Sequence, residues 1–243
     1  MTYIEGKRGG LGMRIFIFLL TGLLMSIQGH SLSHYWLIQQ DFIKIGKKEL
    51  YEEERKKKWE EDRIFFKKKK TPLEVIAAQD LENPQYVFFM PLKDLSSLDL
   101  YSPIQKNDSP LLNTCLNFQI FSLHELLPDC SFQSALFFSE SRPYLSYVLY
   151  DITPGSQKSF EDHLMQIALK QQKKSGVAWN AWKVLLGADG PAYLLCASFA
   201  SKKELKESQM EEIFEEALVK DILRNRKSGW MKREDSFSLL KKS

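Results

Sequence analysis

One strand–turn–helix phrase occurs twice in this chain, and that constrains its fold more than any other feature. "DFIKIGKKELYEE" from Asp41 and "YDITPGSQKSFED" from Tyr150 align so that Ile43 falls on Ile152, Gly46 on Gly155, Tyr51 on Phe160 and Glu52 on Glu161. In each, aromatic and β-branched residues suited to a pleated strand run into a glycine turn. A helical apolar stripe follows, seen in the second copy as Phe160, Leu164, Ile167 and Ala168. A second anchor lies downstream, where "NPQYVFF" aligns with "GPAYLLC" and Pro84 and Tyr86 fall on Pro191 and Tyr193.

Around these anchors each half reads as β-α-β-β-α. In the first half the spacing predicts a strand over Tyr35 to Ile45, a helix over Lys47 to Phe66, and strands over Leu73 to Ala78 and Tyr86 to Met90. In the second it predicts strands over Tyr144 to Asp151, Val177 to Leu185 and Ala192 to Phe199. Ser156 caps the helix after the first of these, and a last helix runs over Glu204 to Arg226. Asp99 to Arg142 reads as a connector with short helical stretches, one near Leu111 to Phe121, and the tail after Gly229 either docks through Trp230 or frays. A β-α-β-β sheet is covered by helices on one face only, so its other face must be buried on a second sheet or by dimerisation.

The segment from Arg142 to Phe199, above all "YDITPGSQKSFED" and "VLLGADGPAYLL", resembles the dimeric α+β barrel proteins with ferredoxin-like halves, and within them the NIPSNAP-like group. The resemblance implies an α+β chain in which two tandem ferredoxin-like halves form a pseudo-dimeric barrel, here an in-chain tandem and therefore a monomer with internal pseudo-symmetry. The expected layout is a leader over 1–31, a first half over 32–98, a connector over 99–141, a second half over 142–228 and a tail over 229–243. That superfamily contains cofactor-free monooxygenases, haem-handling enzymes and proteins without known activity. No catalytic motif unites them, so no catalytic residue carries over.

The N-terminus adds an address. Lys7, Arg8 and Arg14 precede an apolar run from Ile15 to Ile27, which suits the hydrophobic region of a secretory signal better than a bilayer span. Cleavage near Gly29-His30-Ser31 would release an exported protein, periplasmic or extracellular; the alternative is an uncleaved anchor. On this reading the membrane is met only through that segment. In an oxidising compartment Cys115 and Cys130 can pair, whereas Cys196 sits in an apolar strand as a buried thiol.

Chemistry-bearing patterns are few. The net charge of +3, set by 34 Lys and Arg against 31 Asp and Glu, gives no electrostatic case for a nucleic-acid partner. "YEEERKKKWEEDR" reads as a solvated helix face of local ion pairs. Neither a metal-ligand spacing nor a nucleophile elbow is present, so the expected catalytic set, metal and cofactor are all none. Tyr144, Ser146, Val148 and Tyr150 share one strand face, and Asn180 and Trp182 share one on the next strand. If those faces line the cleft between sheets, Tyr144, Tyr150, Asn180 and Trp182 offer aromatic walls with polar handles for a small apolar or aromatic ligand. His163, beside the helical stripe, is the remaining candidate. Core packing explains the same pattern, and Trp182 in particular is expected to be core. The resulting reading is an exported small-ligand-binding or interaction protein. The alternative is a cofactor-free monooxygenase or another small-molecule enzyme of that superfamily.

Overall fold

The aligned glycines end their strands in the same way. Gly46 (φ 76°) closes β1 (Tyr35–Ile43) and Gly155 (φ 91°) closes β5 (Tyr144–Ile152), both left-handed, so each chain turns directly into its helix. These helices are α1 (Lys48–Lys68) and α4 (Gln157–Gln172). The computed structural model describes residues 33–69, 74–99, 101, 109–137, 139–172, 177–208 and 222–238. The expected leader over 1–31 lies outside them.

Between the two helices come β2 (Ile76–Asp80), β3 (Gln85–Leu92), α2 (Pro110–Cys115), β4 (Leu116–Leu126) and the short α3 (Ser134–Phe137). After α4 come β6 (Trp179–Leu186), β7 (Ala192–Phe199), α5 (Lys202–Glu207) and β8 (Leu223–Arg233). The strands close an antiparallel barrel in the order β1-β3-β2-β8-β5-β7-β6-β4. One half supplies β2-β3-β1-β4 and the other β6-β7-β5-β8, the same order twice. The junctions are short: β2 meets β8 over Ala78 to Asp80, and β4 meets β6 over Leu123 to Leu126.

Two expected elements are corrected. The connector stretch near Leu111 to Phe121 is helical only as far as Cys115; Leu116 onward is an eleven-residue strand that pairs with the whole of β1. Likewise the last helix does not reach Arg226, because Leu223 to Arg233 is a strand laid along β5, and the tail expected after Gly229 begins as its last four residues, Trp230 to Arg233. Each half therefore has four strands, since closing a barrel requires edges that reach the other half. Residues 209–221 of that expected helix lie outside the described region.

Alternation along the strands divides the core in three. On the outer face of the first half, α1 packs Tyr51, Trp59 and Phe66 over Leu37, Phe88 and Met90. On the outer face of the second, α4 packs Phe160, Leu164 and Ile167 over Val148, Tyr150 and Leu195. Inside the barrel Trp36, Ile38, Phe89, Leu145, Trp182 and Met231 form the third cluster. The aligned positions also make matching bonds. The Tyr86 hydroxyl donates to Glu52 at 2.5 Å, and the Tyr193 hydroxyl donates to Glu161 at 2.5 Å.

The α1 surface departs from the expected solvated face. Arg55 is fully buried and pairs with the equally buried Asp41 of β1, while Lys58 and Asp62 form a second buried pair one turn on. The cysteines depart too. Cys115, Cys130 and Cys196 are free and buried, and the first two sit in separate outer cores, so the expected pairing is not formed.

Candidate functional site

Where the two halves part, the barrel interior is hollow. A cavity of about 650 Å³ runs inward from one end, walled by the inward-facing positions of β1, β3, β4, β5, β7 and β8. Period-two geometry fixes which side chains reach it. Ile38, Val87, Phe89 and Leu194 make an apolar interior, and at the other end of the barrel Phe137 of α3 packs edge-to-face on Trp182. The volume is within the range of pockets that enclose small organic molecules.

A small polar set punctuates this apolar wall. Ser122 and His124, two residues apart on β4, both face inward, with Ser122 Oγ 2.7 Å from His124 Nε2. Nδ1 of His124 is buried and has no hydrogen-bond partner among the described residues. Burial pushes the His124 pKa down to about 3, so the imidazole is neutral at physiological pH. Across the cavity the Tyr147 hydroxyl donates to Asp80 Oδ2 at 3.3 Å; burial first, and then the Asp80 charge, hold its pKa above the usual phenol value. Burial raises the Cys196 thiol well above its ordinary value. A side chain at Gly229 would lie 2.7 Å from the Tyr147 hydroxyl, so the close approach of strand and ring requires glycine there.

The mouth is polar and balanced in charge. Asp151 and Asp189 face Arg224 and Lys227 around it, and Asn225 Nδ2 donates to Asp151 at 3.2 Å. These groups leave no net charge to select an ionic ligand.

The candidates read from sequence divide between the two sides of the sheet. Tyr144 and Tyr150 do not line the cavity; they face outward into the core under α4, where Tyr150 meets Phe160 edge-to-face at 5.6 Å. Inward on β5 point Leu145, Tyr147 and Leu149, the other parity of the same strand. Asn180 and Trp182 do face inward, but both are completely buried beyond the cavity wall. The Asn180 carboxamide has no hydrogen-bond partner among the described residues. His163 lies half-buried on α4, outside the barrel. Sequence reasoning missed Ser122, His124 and Tyr147. The available signal for the first two was the alternation of Phe118, Ile120, Ser122, His124 and Leu126 along one strand face.

No family model matches the sequence, and no curated protein does. Solved structures do match in fold. An anthrone oxidase-like protein superposes with a TM-score of 0.56 at 9% identity, covering 86% of this chain and 93% of its own. A monooxygenase candidate from Lactobacillus acidophilus NCFM gives 0.55 at 10% identity, covering 83% and 94%. A chlorite dismutase variant from Candidatus Nitrospira defluvii gives 0.55 at 8%, covering 83% and 92%. The chain thus has the dimeric α+β barrel fold, over nearly the full length of those proteins.

Proposed function

We propose that this protein binds an uncharged, largely apolar small molecule inside its barrel. The carrying observation is the 650 Å³ cavity, apolar within and charge-balanced at its mouth. The neutral polar groups of its wall set the ligand chemistry: Ser122, His124 and Tyr147 can exchange hydrogen bonds with a hydroxyl or carbonyl but offer no charge. A flat, ring-based molecule with one or two such groups meets these requirements. In-chain pairing of the halves belongs to this reading, supported by the repeated strand order and the matched Tyr–Glu bonds. So does export, supported by the basic residues and apolar run at the N-terminus; sequencing the N-terminus of secreted protein should find it between His30 and Ser33.

A cofactor-free oxygenase is the second reading, favoured by how the fold relatives are described. Proton abstraction in such an enzyme needs a base tuned near the working pH. His124 with its pKa near 3 is too weak a base, and Tyr147 and Cys196 stay protonated. These three groups are therefore better suited to holding a molecule than to deprotonating one, which leaves the mouth carboxylates Asp151 and Asp189 as the bases an oxygenase would use.

A thermal-shift screen with polycyclic phenols, quinones and haem tests both. Ligand at a hundred times its Kd should stabilise by about 2.7 kcal/mol, and Leu149→Trp, which fills the cavity from β5, should abolish the shift. No shift with any probe refutes the binding reading, while turnover of a shifting probe in air selects the oxygenase.

A further inference from the structure

Two acceptors compete for one proton at Ser122. Its Oγ lies 2.7 Å from His124 Nε2 and 3.5 Å from the Ile38 carbonyl oxygen. A hydroxyl carries a single proton, and an O–H···O bond ordinarily spans about 2.5–3.0 Å. Ile38 is therefore too far, and the proton goes to Nε2. The shorter separation agrees, being typical of a hydroxyl donor and short for a ring N–H. A neutral imidazole holds one proton, and burial keeps His124 neutral. With Nε2 accepting, that proton sits on Nδ1.

Backbone geometry holds the pair in this arrangement. The register of β4 with β6 shifts beside it: Leu123 faces Leu186 and His124 faces Val184, so Leu185 is an extra residue on β6. Just beyond, Gly187 has φ 95°, and a side chain there would come within 2.7 Å of the Phe121 carbonyl oxygen and 2.9 Å of Ser122 Cβ. The β6–β7 turn thus lies directly on Ser122 and fixes where its hydroxyl stands. Nδ1 is left as a buried donor with no hydrogen-bond partner among the described residues, which costs free energy. The open space beside the ring is the cavity, which His124 lines. Two further donors of the wall are already committed, the Tyr147 hydroxyl to Asp80 at 3.3 Å and Gln85 Nε2 to Gln40 Oε1 at 3.0 Å.

We infer that the His124 Nδ1–H selects a carbonyl oxygen on the ligand, with Ser122 as the positioning residue that fixes the imidazole tautomer. A carbonyl accepts from Nδ1 and satisfies the buried donor, whereas a hydrocarbon of the same outline leaves it bare. The inference rests on the ligand reading above and narrows it to an aromatic ketone or quinone held by its oxygen.

Tautomer and carbonyl contact are read separately, both in the full chain. Nitrogen NMR of the His124 imidazole, assigned through its backbone, should show Nδ1 protonated and Nε2 bare, and Ser122→Ala should return the ring to a mixture of tautomers. Fluorenone and fluorene share one outline and differ by the carbonyl oxygen. In infrared difference spectra the C=O stretch of bound fluorenone should lie below its value in hexane. His124→Phe should abolish that lowering and weaken fluorenone about tenfold, while fluorene changes by less than about twofold. Tyr147→Phe should leave the stretch lowered. An imidazole protonated on Nε2 overturns the inference, as does an unlowered stretch or equal weakening of both probes. The wild-type spectra decide even where His124→Phe fails to fold. Absence of fluorenone binding also overturns it; fluorene binding alone then keeps the ligand reading, and silence across both probes and the phenols, quinones and haem ends both.

Discussion

Arg55→Met should be among the most damaging single substitutions on α1, although it removes a charge from a helix rich in charges. The Arg55 guanidinium is fully buried, pairs with Asp41, and lies 5.5 Å from the centres of the Trp59 and Phe88 rings. Asp41 also accepts hydrogen bonds from Tyr51 at 2.6 Å, Gln39 at 2.8 Å and Gln119 at 2.9 Å. Removing the arginine leaves a buried carboxylate supported only by neutral donors. Breaking such a pair from one side costs about 3–5 kcal/mol, and the three donors place this site in the lower half of that range. Removing both charges together, as Asp41→Asn with Arg55→Met, should return the protein to within about 1–2 kcal/mol of wild type, because no uncompensated charge remains. Urea unfolding at neutral pH measures the cycle through both single variants and the double, with a coupling of about 3 kcal/mol or more expected, since Asp41→Asn alone also leaves a buried charge unpaired. A single-variant loss below about 1 kcal/mol, or strictly additive losses, would refute the placement of this pair in a dry core.

Trp182→Ala should cost about 3–5 kcal/mol, because the ring is completely buried and packs edge-to-face against Trp36 and Phe137; an unchanged unfolding midpoint would falsify its assignment to the core. His124 makes stability depend on pH in a defined window. Its folded pKa lies below that of the unfolded chain, so the unfolded state takes up the proton first, and stability present above about pH 6.5 is lost as pH falls toward 3. The slope from this residue is about 1.4 kcal/mol per pH unit. His124→Gln should flatten the acid limb of the stability profile by that amount, and an unaltered limb would show that the imidazole is solvated.

Local chemistry made much of this fold legible. The turn glycines, the apolar stripe of α4 and the aligned Tyr–Glu positions are properties of short segments, and each is found where the spacing placed it. Trp182 was legible as core for the same reason. The two closing strands were not. Leu223 to Arg233 carries five Arg and Lys residues, a composition that looks like a solvated helix end until β5 supplies backbone partners along its length. Strand pairing is non-local, so a polar segment can be a strand only because of what lies beside it. The cavity was hidden by a related ambiguity. Alternation shows that Tyr144 and Tyr150 share one face of β5 and Tyr147 and Leu149 the other, but which face meets the helix is decided only when α4 packs. Burial of Arg55 was equally invisible, since its partner Asp41 lies fourteen residues away on another element. Sequence determined the segments and their periodicities; barrel closure decided which faces became core, which lined the cavity, and which charges lost their water.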